Sequence, residues 1–431
     1  MRDLPLEAVY PLSFRHEEAK ILGQHLKQQH SVMLVGMKRV GISNFLRFFL
    51  YNPEIAKIYI NDEKQHLFIP VDLNDLIERE VYPFWVLTFK RILDSVVVDK
   101  RVAQCARDIE TLFLAAVQSN DLFLLIDGIR RSIIKITEEG VIPTIFFVRF
   151  DRISDAISPE FFANMQGLRD ASHRKLTYVF TSYRPLDWLA PRVFTKPSLS
   201  VFANTIFIPP AKPQDSAVIF ETYKKRYHLK FSQSTEEALL SLVDGYVQYI
   251  QLAVIALQEK QEKELTKEAL LEVLFTDERI SLQSEELWES LTKEEQDIVL
   301  RVAHKDILGK DERKRGEYLW KTGLITQKDT FFSPLFHRFI QQRTQKTAQE
   351  ERLEFTKKEH LLFAYLHKTI NEICEREQII AHVWPEVEAF GVSDWAIDRL
   401  VARVRTKLKQ TKSTYEIQTV KTRGYKLVNK G

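Results

Sequence analysis

Residues 31–50 read SVMLVGMKRVGISNFLRFFL. Ser31–Val35 is short and almost wholly apolar, the pattern of a strand buried on both faces of a parallel sheet. Gly36 and Gly41 bracket the loop that follows, and Asn44–Leu50 is helical in pattern. A strand, a glycine-bracketed loop and a helix N-terminus gather backbone N–H groups and attract phosphate. The spacing matches GxxxxGK[ST], with Ser43 at the hydroxyl that binds Mg²⁺ in such loops. Ile42 stands where that motif has lysine, and an aliphatic chain cannot neutralise phosphate charge. Lys38 and Arg39 are the cations that remain, entering from the other side of the loop.

Further apolar runs follow at Leu67–Val71, Thr144–Phe150, Leu176–Thr181 and Thr205–Ile208, with helical stretches between them. This is a βαβ alternation, so residues 1–208 are expected to form an α/β domain on a largely parallel sheet. Asp121–Ile126 reads as a helix continuing to Ile136 rather than a strand. The run Thr144–Phe150 ends at Asp151, placed to be the acid that completes a Mg²⁺ site with Ser43. The next residue is Arg152, where a second acid would polarise the attacking water. Thr181-Ser182-Tyr183-Arg184 follows the next strand, where a polar sensor is placed in such folds. Loss of the lysine and of the second acid argues against efficient hydrolysis. The nucleotide-handling set is therefore a degenerate one: Gly36, Lys38, Arg39, Gly41, Ser43 and Asp151, with ATP or ADP and Mg²⁺ as the candidate cofactors.

After Pro209-Pro210 the pattern changes to helices alone, among them Glu236–Val243 and Val247–Gln258. Residues 284–345 read as a small mixed module, with helices at Glu294–Ala303 and Lys314–Thr322, a hairpin-like Leu324–Phe332 and a helix from Pro334. Residues from about 12 to 345 resemble STAND/AAA+-type P-loop ATPases of the bacterial–archaeal kind. The resemblance rests on Phe14-Arg15-His16-Glu17-Glu18, the loop Gly36–Ser43, Asp151, and Asp244-Gly245-Tyr246-Val247-Gln248-Tyr249-Ile250-Gln251. The last is similar to the lid motif GGHPYLLQ, with Val247 at its proline. Leu287–Gln296 and Phe332-Ser333-Pro334-Leu335-Phe336 resemble the start and end of a winged helix. The resemblance implies a P-loop NTPase domain over 1–208, a helical lid over 209–280 and a winged helix over 281–345. With Ile42, Arg152 and Val247 departing from the pattern, it implies a switch without its cycle, or a scaffold kept for shape.

Residues 346–352 read as a linker and 353–431 as a last module. Thr356 with Glu359 forms a capping box ahead of a helix with an apolar stripe at Leu361, Leu362, Tyr365 and Leu366. A second helix starts near Arg376. A third runs from about Asp394 to Lys409, with Ile397, Leu400, Val401, Val404 and Leu408 on one face. Arg399, Arg403 and Thr406 lie opposite, flanked by Arg405, Lys407 and Lys409. A helix fixed by one face and basic on the other suits a major-groove reader. Tyr415–Val420 and Tyr425–Val428 then flank the turn Lys421-Thr422-Arg423-Gly424, a hairpin with a basic tip. Over nearly all of 353–430 this module closely resembles the OmpR/PhoB-type winged helix. That resemblance implies that the third helix reads DNA and the hairpin contacts its backbone, through Arg399, Arg403, Arg405, Thr406, Lys407, Lys421, Thr422 and Arg423. Lys421-Thr422 stand where the family has Arg-Gly.

Charge supports this division. Residues 396–431 carry ten Lys/Arg and two acids, a net +8, whereas the 431-residue chain carries +3 and the remainder therefore −5. The length suggests about three domains. A 45% hydrophobic content excludes disorder across the chain, and 13 glycines exclude a collagen-like one. Two cysteines, Cys105 and Cys374, do not staple a secreted fold and are expected to be buried thiols. No apolar run approaches the ~20 residues of a membrane span, and Met1–Pro11 lacks a signal-peptide core. His25, His30, His360 and His367 lack metal-like spacing with acids, and Phe48-Phe49, Phe146-Phe147 and Phe161-Phe162 are expected in the core. The expectation is a cytoplasmic, bacterial, multidomain α/β-plus-α DNA-binding regulator with no membrane partner. Its P-loop body would sense a protein or ligand or set a homo-oligomeric state. An active ATP-dependent switch and a DNA-maintenance or transposition-type factor are the alternatives.

Overall fold

The computed structural model describes residues 5–60, 66–191, 193, 204–260, 265–346, 355–385, 392–410, 413–421 and 423–430. In chain order the first elements are α1 (His16–Lys27), β1 (Val32–Val35), α2 (Ile42–Tyr51), β2 (His66–Asp72), α3 (Val81–Val98), α4 (Ala106–Ser119) and α5 (Leu122–Glu138). There follow β3 (Ile142–Val148), α6 (Pro159–Ala171), β4 (Thr177–Ser182), α7 (Leu186–Leu189), β5 (Asn204–Phe207), α8 (Pro213–Arg226), α9 (Gln233–Val243) and α10 (Val247–Lys260). The remainder is α11 (Lys267–Phe275), α12 (Glu278–Glu289), α13 (Lys293–Ala303), α14 (Lys310–Arg315), α15 (Glu317–Lys321), α16 (Pro334–Lys346), α17 (Lys357–Lys368), β6 (Cys374–Glu375), α18 (Arg376–Val383), α19 (Asp394–Gln410), β7 (Tyr415–Val420) and β8 (Gly424–Asn429). The chain forms two compact units. The first comprises Met1–Leu229, Asp244–Gln251 and Glu317–Lys328, and the second Lys230–Val243, Leu252–Gly316 and Asp329–Gly431.

The first unit is built on a five-stranded sheet in the order β2-β3-β4-β1-β5, with every neighbouring pair parallel. Strand β1 lies between β4 and β5 and pairs Leu34 with Thr181 on one side and Ile206 on the other. Every residue of β1, β3 and β4 is buried, which explains why these runs are apolar throughout rather than alternating. Phe84, Phe147, Phe150, Phe161 and Phe180 pack ring against ring beneath the sheet's C-terminal end, and all six phenylalanines of the three paired runs are buried. Helix α5 starts where its sequence indicates, because the Asp121 carboxylate accepts from Leu124 N–H at 2.9 Å.

One strand boundary differs from expectation. The apolar run at 144–150 does not stay extended to Phe150. Strand β3 begins earlier, at Ile142, and stops at Val148. Arg149 turns into the left-handed region, at φ 62°, and its N–H donates to Thr181 Oγ1 at 2.8 Å. Phe150 and Asp151 then lie in a 3₁₀ turn, so Arg149 and not Asp151 follows the strand.

The second unit packs α9, α11, α12, α13 and α16 as helices, with a Thr292–Glu295 capping box opening α13. Leu324–Phe332 is not a two-stranded ladder: Ile325 and Phe331 are isolated bridge positions. The C-terminal part places α17, α18 and α19 with an antiparallel sheet in the order β6-β8-β7. The Thr356–Glu359 capping box is present. Ile397, Leu400, Val401, Val404 and Leu408 are all buried, in one core with Leu362, Leu366, Trp384 and Leu427. Gly424, at φ 151°, lies where a Cβ would come within 2.1 Å of the Cys374 carbonyl, so the sheet admits only glycine there. Cys105 and Cys374 are both buried free thiols.

Gly245 is constrained in the same way. It has φ +76°, and a Cβ would lie 2.0 Å from the Ala211 carbonyl oxygen. Gly245→Ala is therefore expected to destabilise the chain by more than about 1 kcal/mol. An unchanged urea midpoint would contradict the assignment of that strain.

Candidate phosphate-loop site and DNA interface

The phosphate loop leaves β1 at Gly36, whose N–H donates to the Ser182 carbonyl at 3.3 Å. A side chain at Gly36 would collide with the Ile208 carbonyl at 2.7 Å, and one at Gly41 with Val247 Cγ2 at 2.4 Å. Both glycines are thus needed for packing. Ile42, at the position of the missing lysine, turns its Cδ1 toward Gly36 under the loop. Lys38 is held from two sides: its carbonyl accepts from Tyr246 Oη at 2.5 Å, and its ammonium lies 4.8 Å above the Tyr183 ring. Arg39 is exposed, in a left-handed conformation. Arg184 is buried and stacks 3.8 Å from the Tyr318 ring, so the sensor-position arginine is an aromatic clamp. Burial raises the Asp151 carboxyl above its ordinary value, although the charges of Lys38, Arg152 and Arg149 oppose this.

The decisive group is one the sequence reading passed over. Arg149 Nη1 donates to Ser43 Oγ at 3.3 Å. Its Nε donates to Asp72 Oδ1 at 3.1 Å, and its other terminal nitrogen pairs with Asp72 Oδ2. A guanidinium therefore adjoins the hydroxyl that would ligate Mg²⁺, and the carboxylate that ends β2 is committed to it. Mg²⁺ requires oxygen ligands at about 2.0–2.1 Å in an octahedral shell. A guanidinium hydrogen-bonded to Ser43 occupies the place of that shell, so the residues in this arrangement do not fit the metal. The available signals were the placement of Arg149 directly after the apolar IFFV and of Asp72 at the end of HLFIPVD. Adding Mg²⁺ to protein with ATP is expected to raise the melting temperature no further than ATP with a chelator. A clear Mg²⁺-dependent rise would show that metal enters at Ser43.

In the second unit, α19 is positioned by a set of polar ties. Glu359, with its side chain only 2% exposed, pairs with Lys407 Nζ at 2.7 Å and lies 3.7 Å from Arg403 Nε. Arg405 donates from Nε to the Ile417 carbonyl and from Nη2 to Thr419 Oγ1, both at 2.8 Å, fixing the helix to the hairpin. Arg376 pairs with Asp398 at 2.7 Å and donates to Tyr425 Oη at 3.2 Å, while the Tyr425 hydroxyl donates to Asp398. Burial, then the Asp398 carboxylate, pushes the Tyr425 phenol well above its ordinary value.

The nominated DNA-contacting residues thus fall into three groups. Arg405 and Lys407 are engaged within their own module. Arg399 and Arg403 meet acids of α12: Arg399 lies 2.9 Å from Glu289, and Arg403 lies 3.2 Å from Glu285. Thr406 is exposed on α19, and Lys421 and Arg423 are exposed at the hairpin turn. Thr422 lies outside the described residues, as does the linker from residue 347. Among the described residues, no three His, Cys, Asp or Glu side chains group to hold a metal, and no helix is long and apolar enough to cross a membrane.

Residues 349–427 match the family described as transcriptional regulatory protein, C terminal. This transcriptional-regulator module is the winged helix built from α17 to β8. No curated protein matches the chain. Among solved structures, a Walker-type ATPase of Pyrococcus abyssi is 15% identical, covering 78% of this chain and 97% of its own, with a TM-score of 0.49. The Aeropyrum pernix ORC2 protein, in ADPNP–ADP complexes, is 13% identical, covering 80% and 86%, with a TM-score of 0.44. The Aeropyrum pernix ORC1 protein in complex with DNA is 12% identical, covering 99% and 92%, with a TM-score of 0.42.

Glu359 gives the transcriptional-regulator module a pH signature. Burial raises its pKa, but Lys407, the Thr356 N–H and Arg403 together outweigh this and hold the carboxyl below its ordinary 4.5. A depressed folded value contributes stability above the unfolded pKa, and that stability is lost as pH falls through the folded value. Glu359→Gln is expected to destabilise the module by about 2 kcal/mol at neutral pH. The difference from the parent should shrink on acidification below about pH 4.5; a gap that stays constant in urea melts down to pH 3 would refute it.

Proposed function

We propose that this chain is a sequence-specific duplex-DNA-binding transcriptional regulator of the bacterial cytoplasm. Its P-loop unit acts as a sensor of a ligand or protein, or as an oligomerisation scaffold, and not as an efficient ATPase. The observation that carries the DNA reading is α19. Its apolar face is wholly buried, its cations lie on the other faces, and it sits inside a module matching a transcriptional-regulator family. The adjoining hairpin brings Lys421 and Arg423 to an exposed tip. A buried stripe sets the helix's orientation, and side chains opposite it can reach base edges and phosphates.

Arg149 beside Ser43 and the aliphatic Ile42 support the non-catalytic reading of the body. Each removes a part that phosphoryl transfer needs: the metal in one case, the phosphate-neutralising amine in the other. Any ATP or ADP held at Gly36, Lys38, Arg39, Gly41 and Ser43 would serve as a signal or a structural ligand.

Selection of oligonucleotides by the full chain, with and without ATP, tests the reading. A recovered motif is the expected outcome, and retention of random duplex alone would sink it. Arg403→Ala should cost about 1–3 kcal/mol on the selected site. Lys421→Ala with Arg423→Ala should weaken binding to all duplexes and flatten the log–log salt dependence by about two units. An unchanged slope would remove the hairpin tip from the DNA contact.

A further inference from the structure

We propose that α12 is an internal competitor of DNA, its acidic stripe occupying the face of α19 that reads the duplex. The inference rests on the DNA-binding function proposed above and names how that site is regulated.

Four side chains of α12 point at the C-terminal module. Glu278 lies 3.2 Å from Lys358 Nζ, Leu282 packs on the module's core, Glu285 meets Arg403, and Glu289 meets Arg399. Their spacing of four, three and four residues is that of a single helical stripe. The arginines are also one turn apart, so two carboxylates in register on α12 meet two guanidiniums in register on α19. This matches the chemistry of a DNA strand, which presents successive anions to the same cations. Both arginines are pulled out of water, with side chains 27% and 28% exposed.

The fit is incomplete in a way that suits a competitor. The Nε of Arg399 is buried without a hydrogen-bond acceptor, and that of Arg403 makes no hydrogen bond, its nearest paired carboxylate oxygen, on Glu359, lying 3.7 Å away. Phosphate or guanine would offer acceptors in a planar, bidentate geometry. A cavity of about 140 Å³, lined by Leu282, Glu285, Leu400 and Arg403 among others, remains beside the contact. Each pair keeps an accessible edge, with Glu289 30% and Glu285 17% exposed, through which a polyanion can reach the arginines and displace the carboxylates. Arg423, at the hairpin tip, is left exposed for first encounter with DNA.

Binding of the full chain to its selected duplex, read by fluorescence anisotropy at fixed salt, tests this. E285Q with E289Q should tighten binding about ten-fold. E294Q with D297N makes the same charge change on α13, away from α19, and should alter affinity less than about two-fold. Leu282→Glu adds a negative charge, which alone would weaken DNA binding, yet by breaking the apolar contact of α12 it should tighten it. Circular dichroism of each variant checks that its helices persist. If E285Q with E289Q gains no more than the α13 control, or Leu282→Glu weakens binding, the competitor does not exist. If neither parent nor variants bind any selected duplex, the DNA-binding reading falls, and the competitor with it.

Discussion

The buried carboxylate of Glu359 is the point on which the C-terminal half depends. It caps α17 through the Thr356 N–H at 2.8 Å and at the same time holds Lys407 and Arg403 of α19. A charge this deeply buried is tolerated only if it is paired and hydrogen-bonded. Those requirements fix the rotation of α19 about its axis: five apolar side chains go inward, and Lys407 is held against the module. The exposed face of α19 is therefore what remains once Glu359 has been satisfied. A list of basic residues on the helix therefore does not say which of them are already engaged within the module, as Lys407 and Arg405 are.

In the first unit a cation performs the comparable task. Arg149 breaks β3, gives its N–H to Thr181, and spreads its guanidinium over Asp72 and Ser43. It thereby closes three strand ends, β2, β3 and β4, around the start of α2. In a P-loop fold that position is where bound nucleotide and metal usually impose order. Here hydrogen bonds and an ion pair within the chain supply that order.

Much of this was legible in the sequence because it follows from local pattern. The strand, loop and helix over 31–50 need only hydrophobic runs and two glycines. The Thr356–Glu359 capping box and the α19 stripe are spacings of three and four. What escaped depends on distant residues. The run IFFVRF is interrupted only by Arg149, and nothing local says that Thr181 will take the Arg149 N–H and end the strand two residues earlier. Glu285 stands 118 residues from Arg403, and on its own helix it looks like any solvated acid. The basic excess of residues 396–431 does not stand free of the protein: Arg399, Arg403, Lys407 and Lys430 pair with Glu289, Glu285, Glu359 and Glu416. Acids of the same module and of α12 claim much of it first.

The route of the backbone has a consequence of another kind. Residues 244–251 and 317–328 belong with the N-terminal unit, while the segments around them belong to the other. The chain thus passes five times from one unit to the other, and helix α10 runs through one of the crossings. No single cut yields either unit whole. Deleting everything after residue 229 would strip the phosphate loop of Tyr246 and Val247, which rest on Lys38 and Gly41. Residues 355–430, by contrast, form one continuous stretch. A single cut between residues 346 and 355 therefore leaves the terminal module's chain in one piece, whereas no single cut does so for the interleaved body.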